Sequence, residues 1–321
     1  MRIALFDLAR QHRDTLAANL APGDEIVALP DAPADAVAVD VAIASRFAAP
    51  EAARVRYRML QAPGAGVDKI DFAVVMPEAW VCNAYEHEGP IAEYVFAAML
   101  EATVGFTALT RLMPDKGWAG AYFSRAPHGE LAGKTIGILG LGHNGQAIAR
   151  RAKAFDMTVM AIAARRRDSA PDVDWMATPE RLGELLERAD FLVPACPLSD
   201  ATRGMIGAAE LKRMKPTAVF INVARAEIAV EADLFEALKS GAIAGAVLDP
   251  WYRYPASPTD RVEPSRFPFA SLANVRVTPH AAAWTDGLWD RRCAFFARNI
   301  ARLSAGEAPL NIVRAPLTSR P

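Results

Sequence analysis

The run KTIGILGLGHNGQAIARRA, residues 134–152, limits what this chain can fold into more than any other stretch. Gly140, Gly142 and Gly145 form G-x-G-x-x-G directly after the β-rich run Lys134 to Leu139. They open a helical pattern, QAIARRAKAFD, which leads into a second apolar run, MTVMAIA. The first glycine serves a tight turn, the second lets backbone approach a pyrophosphate, and the third lets helix and strand pack closely. N–H groups at the helix start then meet the phosphates. Gly140, Gly142, His143, Asn144 and Gly145 are therefore candidate cofactor residues.

In such units a carboxylate about 20 residues further on holds the ribose hydroxyls of NAD. Here that slot falls on Ala163, followed by Ala164, Arg165, Arg166 and Arg167. A missing carboxylate with guanidinium groups beside it suits a 2′-phosphate, because Arg grips phosphate oxygens in pairs. The pattern predicts NADP(H) over NAD(H), with Arg165 and Arg166 as candidate phosphate contacts. Asp168, just beyond, keeps NAD(H) as the alternative.

Short apolar runs recur on both sides of the motif. Ile3 to Phe6, Val39 to Ala44 and Met59 to Ala62 precede it. Phe191 to Val193, Ala218 to Asn222, Gly245 to Asp249 and Val275 to Thr278 follow it, separated by helical segments such as Pro179 to Arg188 and Glu231 to Ser240. That alternation predicts an α/β chain with parallel sheets. A long helical pattern from Pro90, with Pro114 taken as its end, is the candidate connector between two domains. Pro250 to Pro268 holds five prolines without periodicity, and a loop of that length inside a compact domain is usually functional.

Length and composition agree. At 321 residues the chain is about twice the rough prior for one domain. Hydrophobic residues make up 52% and charged residues 23%, which excludes whole-chain disorder. The formal charge of -1 supplies no long-range field for nucleic acid or an acidic membrane, so neither is an expected partner. Cys82, Cys196 and Cys293 are scattered without a CxxC pair, and His87, His143 and His280 show no ligand spacing, so neither a disulfide framework nor a metal is expected. Asp7 interrupts the first apolar run where a secretory signal would continue, so that run reads as a strand and a reducing cytoplasm as the location.

Several blocks in order carry a resemblance over nearly the whole length: GAGVDKID (64–71), VCNAYEHEGPIAEYVFAAML (81–100), LAGKTIGILGLGHNG (131–145), ADFLVPACPLSDATRGMIGAAELKRMKPTAVFINVAR (189–225), EADLFEALKSGAIAGAVLD (231–249) and VTPHAA (277–282). The chain resembles the D-isomer-specific 2-hydroxyacid dehydrogenases, the group that includes phosphoglycerate, glyoxylate and hydroxypyruvate enzymes. The resemblance implies two Rossmann/flavodoxin-like lobes. The dinucleotide-binding lobe, 99–286, is inserted into a substrate-binding lobe made of 1–98 and 287–321. It also implies a homodimer built on the Rossmann lobe, with lobe closure excluding water.

It further implies roles for individual residues. Arg225 matches the arginine of the N-x-A-R-G motif, with Ala226 in place of the glycine. One guanidinium can hold the carboxylate and carbonyl oxygen of a small 2-oxo acid and polarise the carbonyl. His280 matches the proton donor, a role its ordinary pKa suits. The family's glutamate partner is absent, and its slot is Tyr254. Three readings stay open: Glu263 or Glu86 substitutes, the histidine works with less basicity, or activity is weak. Cys196, Pro197, Val223, Ala224, Asp249 and Ala282 match positions beside the cofactor, where Arg225 and His280 also lie. Ala65, Gly66 and Val67 match the turn whose amides receive the substrate carboxylate, alongside Arg225 and His280. Tyr85, His87, Trp251, Tyr254 and Trp284 could add an aromatic lining. The expected function is hydride transfer between NADP(H) and a 2-oxo or D-2-hydroxy acid. The alternative is a corepressor-like dinucleotide sensor with little turnover.

Overall fold

A computed structural model describes residues 1–30, 35–165 and 170–317. Two units emerge: Met1–Glu86 together with Asp286–Pro321, and His87–Thr285. The division falls at Glu86 and His87 rather than at 98. The helix Glu88–Val104 belongs wholly to the second unit, because its buried residues Ile91, Val95 and Met99 share one core with Ile148 and Ala152.

In the first unit, parallel strands Glu25–Val27, Arg2–Leu5, Val41–Ile43, Met59–Gln61 and Trp80–Cys82 lie side by side in that order. In chain order this is 2-1-3-4-5, the flavodoxin arrangement. The strand Ile312–Arg314 closes one edge, antiparallel to Trp80–Cys82. The helix Leu288–Ser304 buries Trp289, Cys293, Phe296, Ile300 and Leu303 at helical spacing. That stripe covers Ile3, Leu5, Val41, Ile43 and Met59 on one face of the sheet.

The second unit holds seven parallel strands, ordered Trp175–Ala177, Thr158–Ile162, Thr135–Leu139, Phe191–Pro194, Val219–Asn222, Gly245–Leu248 and Val275–Val277. Counted from Thr135 this is 3-2-1-4-5-6 with one strand added, the doubly wound order. Apolar clusters cover both faces, which is why the strands read as continuous hydrophobic runs. The α/β class and both parallel sheets agree with the sequence reading.

One expectation fails in this unit. Pro114 does not end the connecting helix. The break is at Gly105, whose φ of +66° suits glycine. A second helix, Phe106–Ser124, carries Pro114 inside it and is interrupted only at Gly117, φ +69°. Among the described residues no single helix is long and apolar enough to cross a membrane.

The Pro250 to Pro268 segment is ordered by named contacts. The buried Glu231 carboxylate accepts from the Arg266 backbone N–H at 2.5 Å and from its Nε at 2.8 Å. Burial alone would push that carboxyl's pKa up, but the Arg266 and Ser265 hydrogen bonds and the Arg266 charge outweigh it, and the pKa ends below the usual value. Tyr252 donates to the Ala229 carbonyl at 3.0 Å, and Phe267 stacks on Phe235 at 5.1 Å.

Candidate active site

Open α/β sheets bind ligands beyond the carboxyl ends of their strands, at the point where strand order reverses. In the second unit that point lies between Thr135–Leu139 and Phe191–Pro194, whose ends lead into Gly140 and Cys196. Gly140 has φ +100°, and a Cβ there would come within 2.8 Å of the Cys196 backbone. A Cβ on Gly145 would lie 2.1 Å from the Gly140 carbonyl oxygen. At Gly142 a Cβ would meet nothing within 4 Å, so backbone there is open to close approach. Helix His143–Ala154 begins at Gly142 with no side-chain cap, and the Asn144 Oδ1 is buried with no partner. A turn closed behind, open in front and bordered by an orphaned polar atom fits a dinucleotide pyrophosphate. Cys196 is a half-buried thiol pushed up to about 11 by burial, so it is inert as a nucleophile, and Pro197 beside it is exposed.

At the end of Thr158–Ile162, Ala163 is buried and donates its N–H to the Ala177 carbonyl. No carboxylate occupies that slot. Arg165 is exposed just beyond it. Arg166, with Asp168, lies outside the described residues.

The chemistry-bearing residues leave the ends of three neighbouring strands, Val219–Asn222, Gly245–Leu248 and Val275–Val277. Adjacent strands sit roughly 4.8 Å apart, which brings their ends within side-chain reach. After the first strand, the buried Asn222 side chain accepts from the Ala224 N–H at 3.0 Å and donates to the Arg225 carbonyl at 2.8 Å. That clamp fixes the turn through Val223 and Ala224. The half-buried Arg225 guanidinium donates to the Ala224 carbonyl at 2.8 Å.

After the second strand, Asp249 is 1% exposed. Its carboxylate accepts from Thr278 Oγ1 at 2.6 Å, the Ala281 N–H at 2.7 Å and the Ala282 N–H at 3.0 Å. Its carbonyl accepts from the His280 N–H at 3.0 Å. The turn it clamps carries His280 at φ +58°, a left-handed conformation costly for a residue with a side chain. Tyr94 adds a 2.5 Å hydrogen bond to Thr278 Oγ1. Asp249 and Ala282, matched to cofactor positions by the resemblance, are thus both buried and bonded to each other.

His280 itself is exposed, and its Nδ1 lies 2.8 Å from the Tyr254 hydroxyl. The Trp251 N–H donates to that same hydroxyl at 3.1 Å, and the Trp251 indole donates to the Thr278 carbonyl at 2.8 Å. Burial raises the Tyr254 pKa above its ordinary value, while the nearby Arg225 charge pulls it down. The phenol is therefore neutral at physiological pH. Of the displaced-carboxylate options, Glu263 is exposed, and Glu86 is paired with Arg298 at 3.3 Å inside the first unit. The place at Nδ1 belongs to Tyr254. In the protonated ring Nδ1–H donates to the phenol oxygen, and the second ring hydrogen sits on Nε2, the proton-delivering position.

Asn222, Thr278 and Tyr94 were not singled out from the sequence. The first belongs to the N-x-A-R motif and the second to TPH, so both lay in view; Tyr94, remote in the chain, gave no signal.

In the first unit, the Gly64 carbonyl accepts from the Ala84 N–H at 3.2 Å and the Ala65 carbonyl from Asn83 Nδ2 at 2.9 Å. Described peptides are all trans, so the N–H groups of Ala65 and Gly66 point the opposite way. They face away from the chain beside them, as an amide cradle for an anion requires. Gly66 is exposed and Val67 half-buried.

Comparison with known proteins adds an independent finding. Residues 96–282 match the family model described as D-isomer specific 2-hydroxyacid dehydrogenase, NAD binding domain. A glyoxylate reductase of Korarchaeum cryptofilum is 34% identical over 224 residues, which cover 69% of this chain and 65% of that protein. The chain matches 52% to 65% of the length of such curated relatives. Among solved structures, an NADPH-dependent glyoxylate/hydroxypyruvate reductase from Sinorhizobium meliloti, in complex with NADP and sulfate, is 28% identical with a TM-score of 0.78, covering 97% of each chain. A D-isomer specific 2-hydroxyacid dehydrogenase from Xanthobacter autotrophicus, in complex with NADPH and MES, is 26% identical with a TM-score of 0.79, covering 98% of each.

Proposed function

Because this chain belongs to the D-isomer specific 2-hydroxyacid dehydrogenase family, we propose that it reduces a small 2-oxo acid to a D-2-hydroxy acid, preferring NADP(H) over NAD(H). The observation that carries this reading is the hydrogen-bond contact of Tyr254 with His280 Nδ1, beyond the ends of the two strands that come next in the sheet after the one that leads into Arg225. When bound, the nicotinamide supplies the hydride. Arg225 holds the carboxylate and carbonyl oxygen and draws electron density from the carbonyl carbon. His280 delivers the proton from Nε2 to the developing alkoxide, with Tyr254 fixing the ring through Nδ1. The amides of Ala65, Gly66 and Val67 are assigned the substrate carboxylate. The Gly140 to Gly145 turn is assigned the pyrophosphate, with Cys196, Pro197, Val223, Ala224 and the Asp249–Ala282 clamp bordering the rest of the cofactor.

For the cofactor preference, the support is Ala163 in the acidic slot and exposed Arg165 beyond it, together with the NADP and NADPH held by the Sinorhizobium and Xanthobacter proteins. Glyoxylate and hydroxypyruvate, named for the Sinorhizobium relative, are the first substrates to try. A panel of 2-oxo acids assayed with NADPH and with NADH tests both halves. Oxidation of neither cofactor by any acid overturns the reaction, and higher kcat/KM with NADH overturns the preference. The sensor alternative draws nothing from Tyr254, which keeps His280 hydrogen-bonded. A second copy of this chain is the proposed partner, through the segment Phe106–Ser124, which exposes Phe106, Met113, Trp118 and Phe123. Light scattering that finds a monomer would rule that out.

Tyr254 leads to a pH prediction. A carboxylate at Nδ1 favours the imidazolium and a neutral phenol does not. Reduction needs the protonated ring, so activity falls as pH rises past the point where the proton is lost. Tyr254→Glu is expected to move that alkaline limb of kcat/KM upward by about one pH unit or more. An unmoved limb in a folded variant would show that Tyr254 does not govern His280.

A further inference from the structure

Tyr94 has no role in the chemistry above, yet it begins a chain of hydrogen bonds that reaches the His280 turn. Its ring packs against the core that Ile91, Val95 and Met99 share with Ile148 and Ala152, so the helix Glu88–Val104 holds it in place. Its hydroxyl stands 2.5 Å from Thr278 Oγ1, 184 positions away in sequence. Thr278 Oγ1 in turn stands 2.6 Å from Asp249 Oδ1.

The direction of this chain follows from the hydrogens available. A carboxylate only accepts, and a threonine hydroxyl has one hydrogen, so Thr278 donates to Asp249. Tyr94 must then donate to Thr278. Burial raises the Tyr94 pKa above its ordinary value and the Asp249 charge acts in the same direction, outweighing the Thr278 hydrogen bond, so the phenol keeps the hydrogen that it donates. Donors in series polarise one another, and Thr278 is a stronger donor for having accepted from Tyr94. The same Oδ1 accepts from the Ala281 N–H at 2.7 Å, and Oδ2 from the Ala282 N–H at 3.0 Å. These two residues directly follow His280, whose φ of +58° persists only while its surroundings impose it.

Thr278 is also joined to the partner of the imidazole. Its carbonyl accepts from the Trp251 indole at 2.8 Å, and the Trp251 N–H donates at 3.1 Å to the hydroxyl that meets His280 Nδ1. One residue thus links the clamp on the His280 backbone to the phenol on its ring, and Tyr94 fixes the hydroxyl of that residue.

We propose that Tyr94 is a positioning residue for His280, acting through Thr278 to hold the His280 turn and Tyr254 in register for proton delivery. The assignment rests on the reading of this chain as a 2-oxo acid reductase with His280 as its acid, and adds what keeps that acid aimed. In this role Tyr94 leaves the Gly140 to Gly145 turn and the Ala65 to Val67 amides alone, so its loss should slow the chemistry and spare binding.

Tyr94→Phe removes one oxygen and keeps the ring in its core. Reduction of glyoxylate with NADPH is expected to show kcat lower by on the order of 10-fold, short of the roughly 100-fold that a 1 Å misplacement can cost. KM and the Kd for NADPH should stay within about twofold of wild type. In the NADPH-bound holoenzyme, isotope-labelled histidine gives NMR ring signals for five residues, and His280→Asn identifies those of His280. The His280 Nδ1 signal should shift in Tyr94→Phe. Thr278→Val should lower kcat at least as far, and adding Tyr94→Phe to it should cost little more, because the two act in series. Thr278→Ser, which keeps the hydroxyl, should retain most of the rate.

A kcat within about twofold of wild type in Tyr94→Phe, or a full further loss when it is added to Thr278→Val, overturns the assignment and leaves the reductase intact. A His280 signal that stays in place while kcat falls does the same. Should Tyr94→Phe fail to fold, Thr278→Val is compared with Thr278→Ser, and equal rates in the two overturn the chain of hydrogen bonds. A wild type that reduces no 2-oxo acid, with the His280 signal still moved by Tyr94→Phe, keeps the positioning and overturns the reaction.

Discussion

Arg225→Gln is expected to lower kcat/KM for a 2-oxo acid by on the order of 1,000-fold, the scale seen when a preorganised donor to a developing oxyanion is removed. Glutamine keeps a hydrogen-bond donor but loses both the charge and the paired N–H geometry that match a carboxylate and its neighbouring carbonyl. Cofactor affinity should change little, since the clamp by the Asn222 side chain on this turn uses main-chain groups and survives the substitution. Stopped-flow binding of NADPH beside steady-state reduction separates the two effects. A variant retaining a tenth or more of wild-type kcat/KM would remove Arg225 from the chemistry.

Asp249→Ala is the second large effect, and it acts on stability and activity together. The substitution leaves the Ala281 and Ala282 N–H groups and the Thr278 hydroxyl without their acceptor in a site where Asp249 is 1% exposed. Orphaning buried donors costs about 1–3 kcal/mol each, so a loss of about 3 kcal/mol or more in unfolding free energy is expected. The left-handed backbone of His280 is held in place by the same carboxylate, so the imidazole should also lose its orientation. Rates should then fall even at temperatures where the variant is folded. Chemical denaturation and activity on the same sample check both. A variant with wild-type stability would mean that the hydrogen bonds to this carboxylate count for little.

Much of this site could be read in the sequence because its parts are local. Gly140, Gly142 and Gly145 announce a turn by spacing alone, and Arg225 and His280 stand in short motifs after strands. Tyr254 was visible as a departure, but not what it does there. Its hydroxyl meets Nδ1 only because Trp251 and the anchored Pro250 to Pro268 segment fold it back toward a residue 26 positions away. Asp249 was placed beside the cofactor by resemblance, whereas its carboxylate is engaged by groups 29 to 33 residues on. Such pairings depend on strand adjacency, which periodicity does not encode. Pro114 misled for the opposite reason: a strong local signal was overridden, and the unobtrusive Gly105 took the break instead.

The discontinuity of the first unit bears on how the molecule comes to exist. On the ribosome, His87–Thr285 emerges as one continuous length, with every partner of its seven-stranded sheet already made. The earlier residues must wait. Until the Leu288–Ser304 helix and the Ile312–Arg314 strand leave the exit tunnel, the sheet face of Ile3, Val41, Ile43 and Met59 has no cover and the Trp80–Cys82 edge no neighbour. Synthesis at roughly 5–20 residues per second stretches that wait over many seconds. During translation, chaperone dependence and aggregation should therefore concentrate in Met1–Glu86, which is made before His87–Thr285 and completed after it.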